Sequence, residues 1–188
     1  MSLTLGLKKQ YFLHPGQIIV TADENPIMTV LGSCVALTVY SPEKRIGGIF
    51  HALLPEYIEK TRLINNSPPV SPDPDYVDYS FYYIKNRMSD LGVDISRTRI
   101  MLFGGGDVLQ ALTTGKSASV GKKNIEMIKG IIDREKLKLA AEDTGGTKAR
   151  KIIFHPGSGK IFLEYIKCDN PVTGGCANGK ENRGTNRR

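Results

Sequence analysis

The chain has 188 residues, 40% of them hydrophobic and 24% charged, with a formal net charge of +7. That length and apolar fraction suit one domain with a real core. No apolar run approaches the ~20 residues of a bilayer-spanning helix, and Met1 to Gln10 lacks the apolar centre of a secretory signal, so a cytoplasmic protein without membrane insertion is expected.

Lys and Arg are scattered along the chain with no recognition motif beside them, which argues for a solvated surface and against nucleic acid. The same charge suits docking to an acidic partner. There are three cysteines, none in a CxxC arrangement, and Cys168 and Cys176 fall late in a Gly/Asn-rich stretch. Neither a disulfide framework nor a zinc site is indicated, and no cofactor is expected.

After a loose lead-in, Tyr11-Phe12-Leu13 and Gln17-Ile18-Ile19-Val20 read as short strands around a His14-Pro15-Gly16 turn. His14 precedes proline, is held extended, and reads as structural. Asp23-Glu24-Asn25-Pro26 is a turn. Then come the two most apolar runs of the chain, Thr29 to Tyr40 and Gly47 to Pro55, separated by Ser41-Pro42-Glu43-Lys44-Arg45. They read as a buried hairpin. A turn centred near Glu43 sets residues whose numbers sum to about 85 or 86 opposite each other, which places Cys34 against His51.

Glu56 to Pro74 is polar and Pro-rich and reads as a loop beside the His51 strand. Asp75 opens a helix whose apolar seam is Val77, Phe81, Ile84, Met88 and Leu91, ended by Gly92. Its tyrosines, Tyr76, Tyr79, Tyr82 and Tyr83, flank that seam. Arg97 to Phe103 is a strand running into Gly104-Gly105-Gly106, which lacks the spacing and Lys of a nucleotide-binding loop.

Thr113 to Ser119 is a polar loop. A second helix carries Gly121, Ile125, Ile128 and Ile132 on one face, with Lys122 and Glu126 as a favourable pair. Strands follow at Leu137 to Glu142, Lys151 to His155 and Ile161 to Lys167, the last two joined by Pro156-Gly157-Ser158-Gly159. Residues 1–167 are expected to form the domain, and 168–188 a disordered tail. The fold class expected is α/β of the α+β type, with mostly antiparallel sheet layers covered by two main helices.

An inward cysteine on an apolar strand is ordinarily packing, so the chemistry of this chain turns on whether Cys34 has a partner. A thiol attacks as thiolate, and an adjacent imidazole supplies this by taking the proton, holding the thiolate by charge and later protonating a leaving amine. Such a pair lowers the thiol pKa and raises that of the imidazole, so Cys34 is expected to alkylate fast near pH 6.5. Gly32 lets amides near Ser33 and Cys34 turn toward a developing oxyanion. His155, at the mouth of the last hairpin, is the rival base.

Leu13-His14-Pro15-Gly16, Thr29-Val30-Leu31-Gly32-Ser33-Cys34-Val35-Ala36 and Gly47-Gly48-Ile49-Phe50-His51-Ala52-Leu53-Leu54-Pro55 together resemble the CheD family of chemoreceptor glutamine deamidases. Phe103-Gly104-Gly105-Gly106, Val120-Gly121-Lys122-Lys123-Asn124, Ala141-Glu142-Asp143-Thr144-Gly145-Gly146 and Ala149-Arg150-Lys151 continue it in the family's order, over roughly residues 10 to 167. The resemblance implies a thiol hydrolase that converts receptor glutamines to glutamate, with Cys34 as nucleophile and His51 as base. It implies a functional Thr upstream of the Cys, for which Thr29 is the nearest candidate. It also implies kinship with the cytotoxic necrotizing factor toxins and chemoreceptors as partners. A CheC-like phosphatase is a further possible partner, and a non-catalytic adaptor docking it or the receptor is the alternative. Gly104-Gly105-Gly106-Asp107 departs from the family's more usual Gly-Gly-Ala-Asn.

Overall fold

The computed structural model describes residues 9–56, 73–108 and 119–166. The expected tail at 168–188, Cys168 and Cys176, and most of the two polar loops fall outside them. Among the described residues the chain runs β1 (Tyr11–Phe12), β2 (Gln17–Thr21), β3 (Ile27–Leu31), β4 (Val35–Ser41), β5 (Ile46–Ala52), α1 (Val77–Asp90), β6 (Arg99–Gly104), α2 (Val120–Arg134), β7 (Leu139–Thr144), β8 (Ala149–His155) and β9 (Lys160–Ile166).

The strands form two sheets, one ordered β2-β5-β4-β6-β7 and the other β1-β3-β8-β9. Pairing is antiparallel except between β1 and β3 and between β6 and β7. This is the mostly antiparallel, two-helix α+β arrangement that the sequence predicts. Both helices pack on one face of the five-stranded sheet, where Val35, Leu37, Val39, Phe50, Leu102 and Ile100 meet Phe81, Ile84, Met88, Ile128 and Ile132. On its other face Ala36, Ile49 and Phe103 meet Ile27, Leu31, Ile152 and Phe154 of the four-stranded sheet. Covered on both sides, β4 is buried at all 7 positions, as a central strand must be.

Helix α1 buries Val77, Phe81, Ile84 and Met88 as the 3.6-residue period requires. Leu91 is 39% exposed at the helix end, outside the seam expected of it. Its amide and that of Gly92 bond back to Met88 and Ser89, and Gly92 takes φ +71, the left-handed stop that favours glycine. Tyr76, and not Asp75, is the N-cap. The Lys122–Glu126 pair is present on α2 at 3.8 Å.

Two expectations about the central hairpin are corrected. The run Thr29 to Tyr40 is not one strand: it breaks at Gly32-Ser33-Cys34, and β3 and β4 belong to different sheets. Ile27 and Leu31 before the break and Ala36 after it are buried in the same inter-sheet core, so the apolar runs flanking Gly32-Ser33 do not show that they join different sheets. The register also differs, with His51 opposite Ala36 and Val35 opposite Ala52. The shift from Cys34 to Ala36 is two residues, an even number, so Cys34 keeps the face of the sheet that the expected pairing gave it.

Candidate active site

His51 lies near the end of β5 on the face that looks toward the four-stranded sheet, and it is 2% exposed. Thr29, fully buried on β3, faces it from the opposite sheet. Thr29 Oγ1 donates to the Leu13 carbonyl at 2.8 Å and lies 2.7 Å from His51 Nδ1. A carbonyl can only accept, and a hydroxyl has one hydrogen, so Oγ1 is committed as donor to Leu13 and must accept from Nδ1–H. The bond therefore fixes the tautomer and leaves Nε2 as the basic nitrogen. Nε2 is buried and has no hydrogen-bond partner among the described residues.

Cys34 directly precedes β4, packs against the inter-sheet core and is half-buried. Ala36 is the ladder partner of His51, and Cys34 lies two residues before Ala36, just outside the last ladder pair of Val35 and Ala52. The structure thus joins Thr29 and His51 by a hydrogen bond, and packs Cys34 against the core between the same two sheets.

The peptide planes around Cys34 are held from one side. Gly106 N–H donates to Gly32 O at 2.8 Å and Gly105 N–H to Cys34 O at 2.7 Å, while Asn124 Nδ2 donates to Ser33 O at 3.1 Å. In a trans peptide the N–H points opposite to the C=O. The amides of Ser33 and Cys34 are thereby turned away from the glycine loop and α2. Gly104 makes this approach feasible: at φ +104, a Cβ there would sit 2.2 Å from Cys34 O. Gly106 lies outside the left-handed region.

Arg150 on β8 fastens the glycine loop from the other sheet. It is 2% exposed, donates to Gly104 O at 2.7 Å and Gly145 O at 2.6 Å, and lies 3.0 Å from Asp143. Tyr165 Oη donates to the same carboxylate at 2.6 Å. Neither Arg150 nor Asn124 was assigned a role from sequence. The signal for Asn124 was present, since position 124 is one turn from Gly121 and Ile128 on the buried seam, and a polar residue there requires partners.

His155 is not brought to this site. It ends β8 beside the β8–β9 turn, pairs with Lys160 and packs edge-on to Phe162 at 5.6 Å. It points to the outer face, one residue off the inward series Ile152 and Phe154. His14 is exposed and packs edge-on to Phe12 at 4.8 Å.

The ionisation states correct the expected ion pair. Burial pushes the Cys34 thiol up, its own backbone amide opposes this, and the Asp75 carboxylate adds to it. Burial lowers His51 to about 4, against a smaller raising by the Leu13 carbonyl and with a further lowering from His14. Thiol and neutral imidazole are the resting forms, so fast alkylation of Cys34 at pH 6.5 is no longer expected. Desolvation disfavours the charged form of both groups.

Comparison with known sequences decides the family. The family described as CheD chemotactic sensory transduction matches residues 54–165. A probable chemoreceptor glutamine deamidase CheD of Vibrio vulnificus is 34% identical over 154 residues, covering 81% of this chain and 69% of that protein. The chain belongs to the CheD family. A relative of the same name from Hahella chejuensis is 33% identical over 155 residues, covering 82% of this chain and 69% of that protein. The probable chemoreceptor glutamine deamidase CheD 2 of Geobacter sulfurreducens is 31% identical over 158 residues, covering 82% and 89%. The family match begins at Leu54, downstream of Thr29, Cys34 and His51. No helix among the described residues is long and apolar enough to cross a membrane.

Proposed function

We propose that this CheD protein hydrolyses glutamine side chains of chemoreceptors to glutamate with a Cys34 nucleophile and a His51 base oriented by Thr29. The observation that carries the reading is the Thr29–His51 hydrogen bond at 2.7 Å, which leaves the basic Nε2 on the face shared with Cys34. Cys34 Sγ attacks the carboxamide carbon as its proton passes to Nε2. The tetrahedral oxyanion faces the amides of Ser33 and Cys34. Nε2 then delivers the proton to nitrogen, ammonia leaves, and a thioester remains. Water attacks the thioester, giving one proton to Nε2, which returns it to the departing sulfur. The new carboxyl gives its proton to ammonia, so glutamine and water become glutamate and ammonium.

Because the resting groups are neutral, His51 acts as a base during attack and not through a standing ion pair. The positive net charge suits the acidic surface of a receptor helix bundle. A CheC-like phosphatase is carried as a second partner, and kinship with the cytotoxic necrotizing factor fold as a structural corollary, both on the family resemblance.

Incubation with a soluble receptor fragment, followed by peptide mass spectrometry, should show a +1 Da change at particular glutamines. Cys34→Ala and His51→Gln should each abolish it while leaving a folded protein. An active Cys34→Ala variant would end the reading.

A further inference from the structure

Beyond the last ladder pair, Val35 and Ala52, strands β4 and β5 part. Leu53 N–H turns away to the Asp75 carbonyl at 2.8 Å and no longer serves the sheet. The strand ends that part here are the ones carrying Cys34 and His51. Asn124 on α2 closes the gap. Its Nδ2 donates to Leu53 O at 2.9 Å and to Ser33 O at 3.1 Å, and the side chain is fully buried. Both partners are carbonyls, so the amide orientation is fixed without ambiguity. Its Oδ1 is buried and unpartnered among the described residues, a cost the fold bears at this one helical position.

We propose that Asn124 is a positioning residue for deamidation, its single NH₂ group holding the Ser33–Cys34 peptide so that the Cys34 N–H faces the reacting carbonyl, and tying that peptide to the strand end behind His51. The inference rests on the Cys34–His51 reading above. The physical link is the planar peptide: holding Ser33 O on the α2 side sets the direction of the Cys34 N–H on the other. An oxyanion donor acts on the transition state more than on bound substrate. Loss of its orientation therefore lowers kcat and spares KM.

The test compares Asn124→Ala with Ile128→Ala, a fully buried apolar truncation one turn along the same helix, using the receptor fragment as substrate at temperatures well below both melting points. Asn124→Ala should lose ten- to hundredfold in kcat with KM within twofold, and iodoacetamide should still modify Cys34 at least as fast as in the parent protein. Ile128→Ala should lower the melting temperature as much or more with kcat within twofold. Should Asn124→Ala fail to fold, Asn124→Ser, which keeps one donor, is read the same way. A kcat within twofold of the parent, or an equal loss in Ile128→Ala, would overturn the proposal. If Cys34→Ala is inactive while the Asn124 variant is fully active, only this inference falls; if Cys34→Ala is active, the reading beneath it falls first.

Discussion

The two faces of the five-stranded sheet are both buried, yet they differ in kind. The helix-covered face is mostly apolar, from Val35 and Leu37 through Leu102 to Ile128, with Ser80 and Asn124 as the buried polar residues of the two helices. The face toward the second sheet carries more of the buried polar groups, with Thr29, His51 and Arg150 each 2% exposed or less. Buried polar groups are tolerated there because most are paired, Thr29 with Leu13 and His51, Arg150 with two carbonyls and Asp143. One face supplies stability; the other gives up some of it to hold an imidazole neutral beside a thiol.

That division can be tested from its stable side first. Leu102→Ala removes a fully buried side chain from the helix-covered face and should cost about 2–5 kcal/mol in urea unfolding. Below the new melting point kcat should be unchanged; a specific loss of kcat would show that the two faces are coupled.

The more polar face should make stability fall with acid. His51 is lowered from 6.5 to about 4 in the fold, so the unfolded chain binds its proton first as pH drops. Its contribution is complete above pH 6.5, is lost between there and pH 4, and is constant below. The loss amounts to roughly 3 kcal/mol. Unfolding of the parent and of His51→Gln should differ in slope across that window alone, and parallel pH profiles would refute the assignment.

The smallest expected change in stability comes from Thr29→Val, which keeps the shape and removes the hydroxyl. It leaves the Leu13 carbonyl and His51 Nδ1–H without that partner, at about 1–3 kcal/mol. Deamidation should fall at least tenfold because the ring is no longer held in the tautomer with a basic Nε2. Wild-type rates in this variant would reduce Thr29 to packing.

The helices were readable from sequence because their apolar seams repeat at 3.6 residues and few competing patterns do. The Cys–His hairpin was readable from two apolar runs around a charged turn, but its register was not, since turn length alone leaves a slip of one or two residues open. The break at Gly32-Ser33 did not read as a change of sheet, because the apolar runs on its two sides look alike. Thr29 could be named only through the family resemblance, because nothing local marks a threonine that meets a histidine 22 positions away.

Composition and periodicity determined the class of fold, the two helices, most strands, and the residues able to do chemistry. Only the tertiary structure decided that β3 and β4 part into separate sheets, that Thr29 and not Cys34 is bonded to His51, and that Asn124 and Arg150 hold the Cys34 loop. The reason is physical. Local patterns fix which face of an element is apolar, whereas hydrogen bonds between distant strands and the depression of His51 by burial exist only once two sheets have closed over the same side chains.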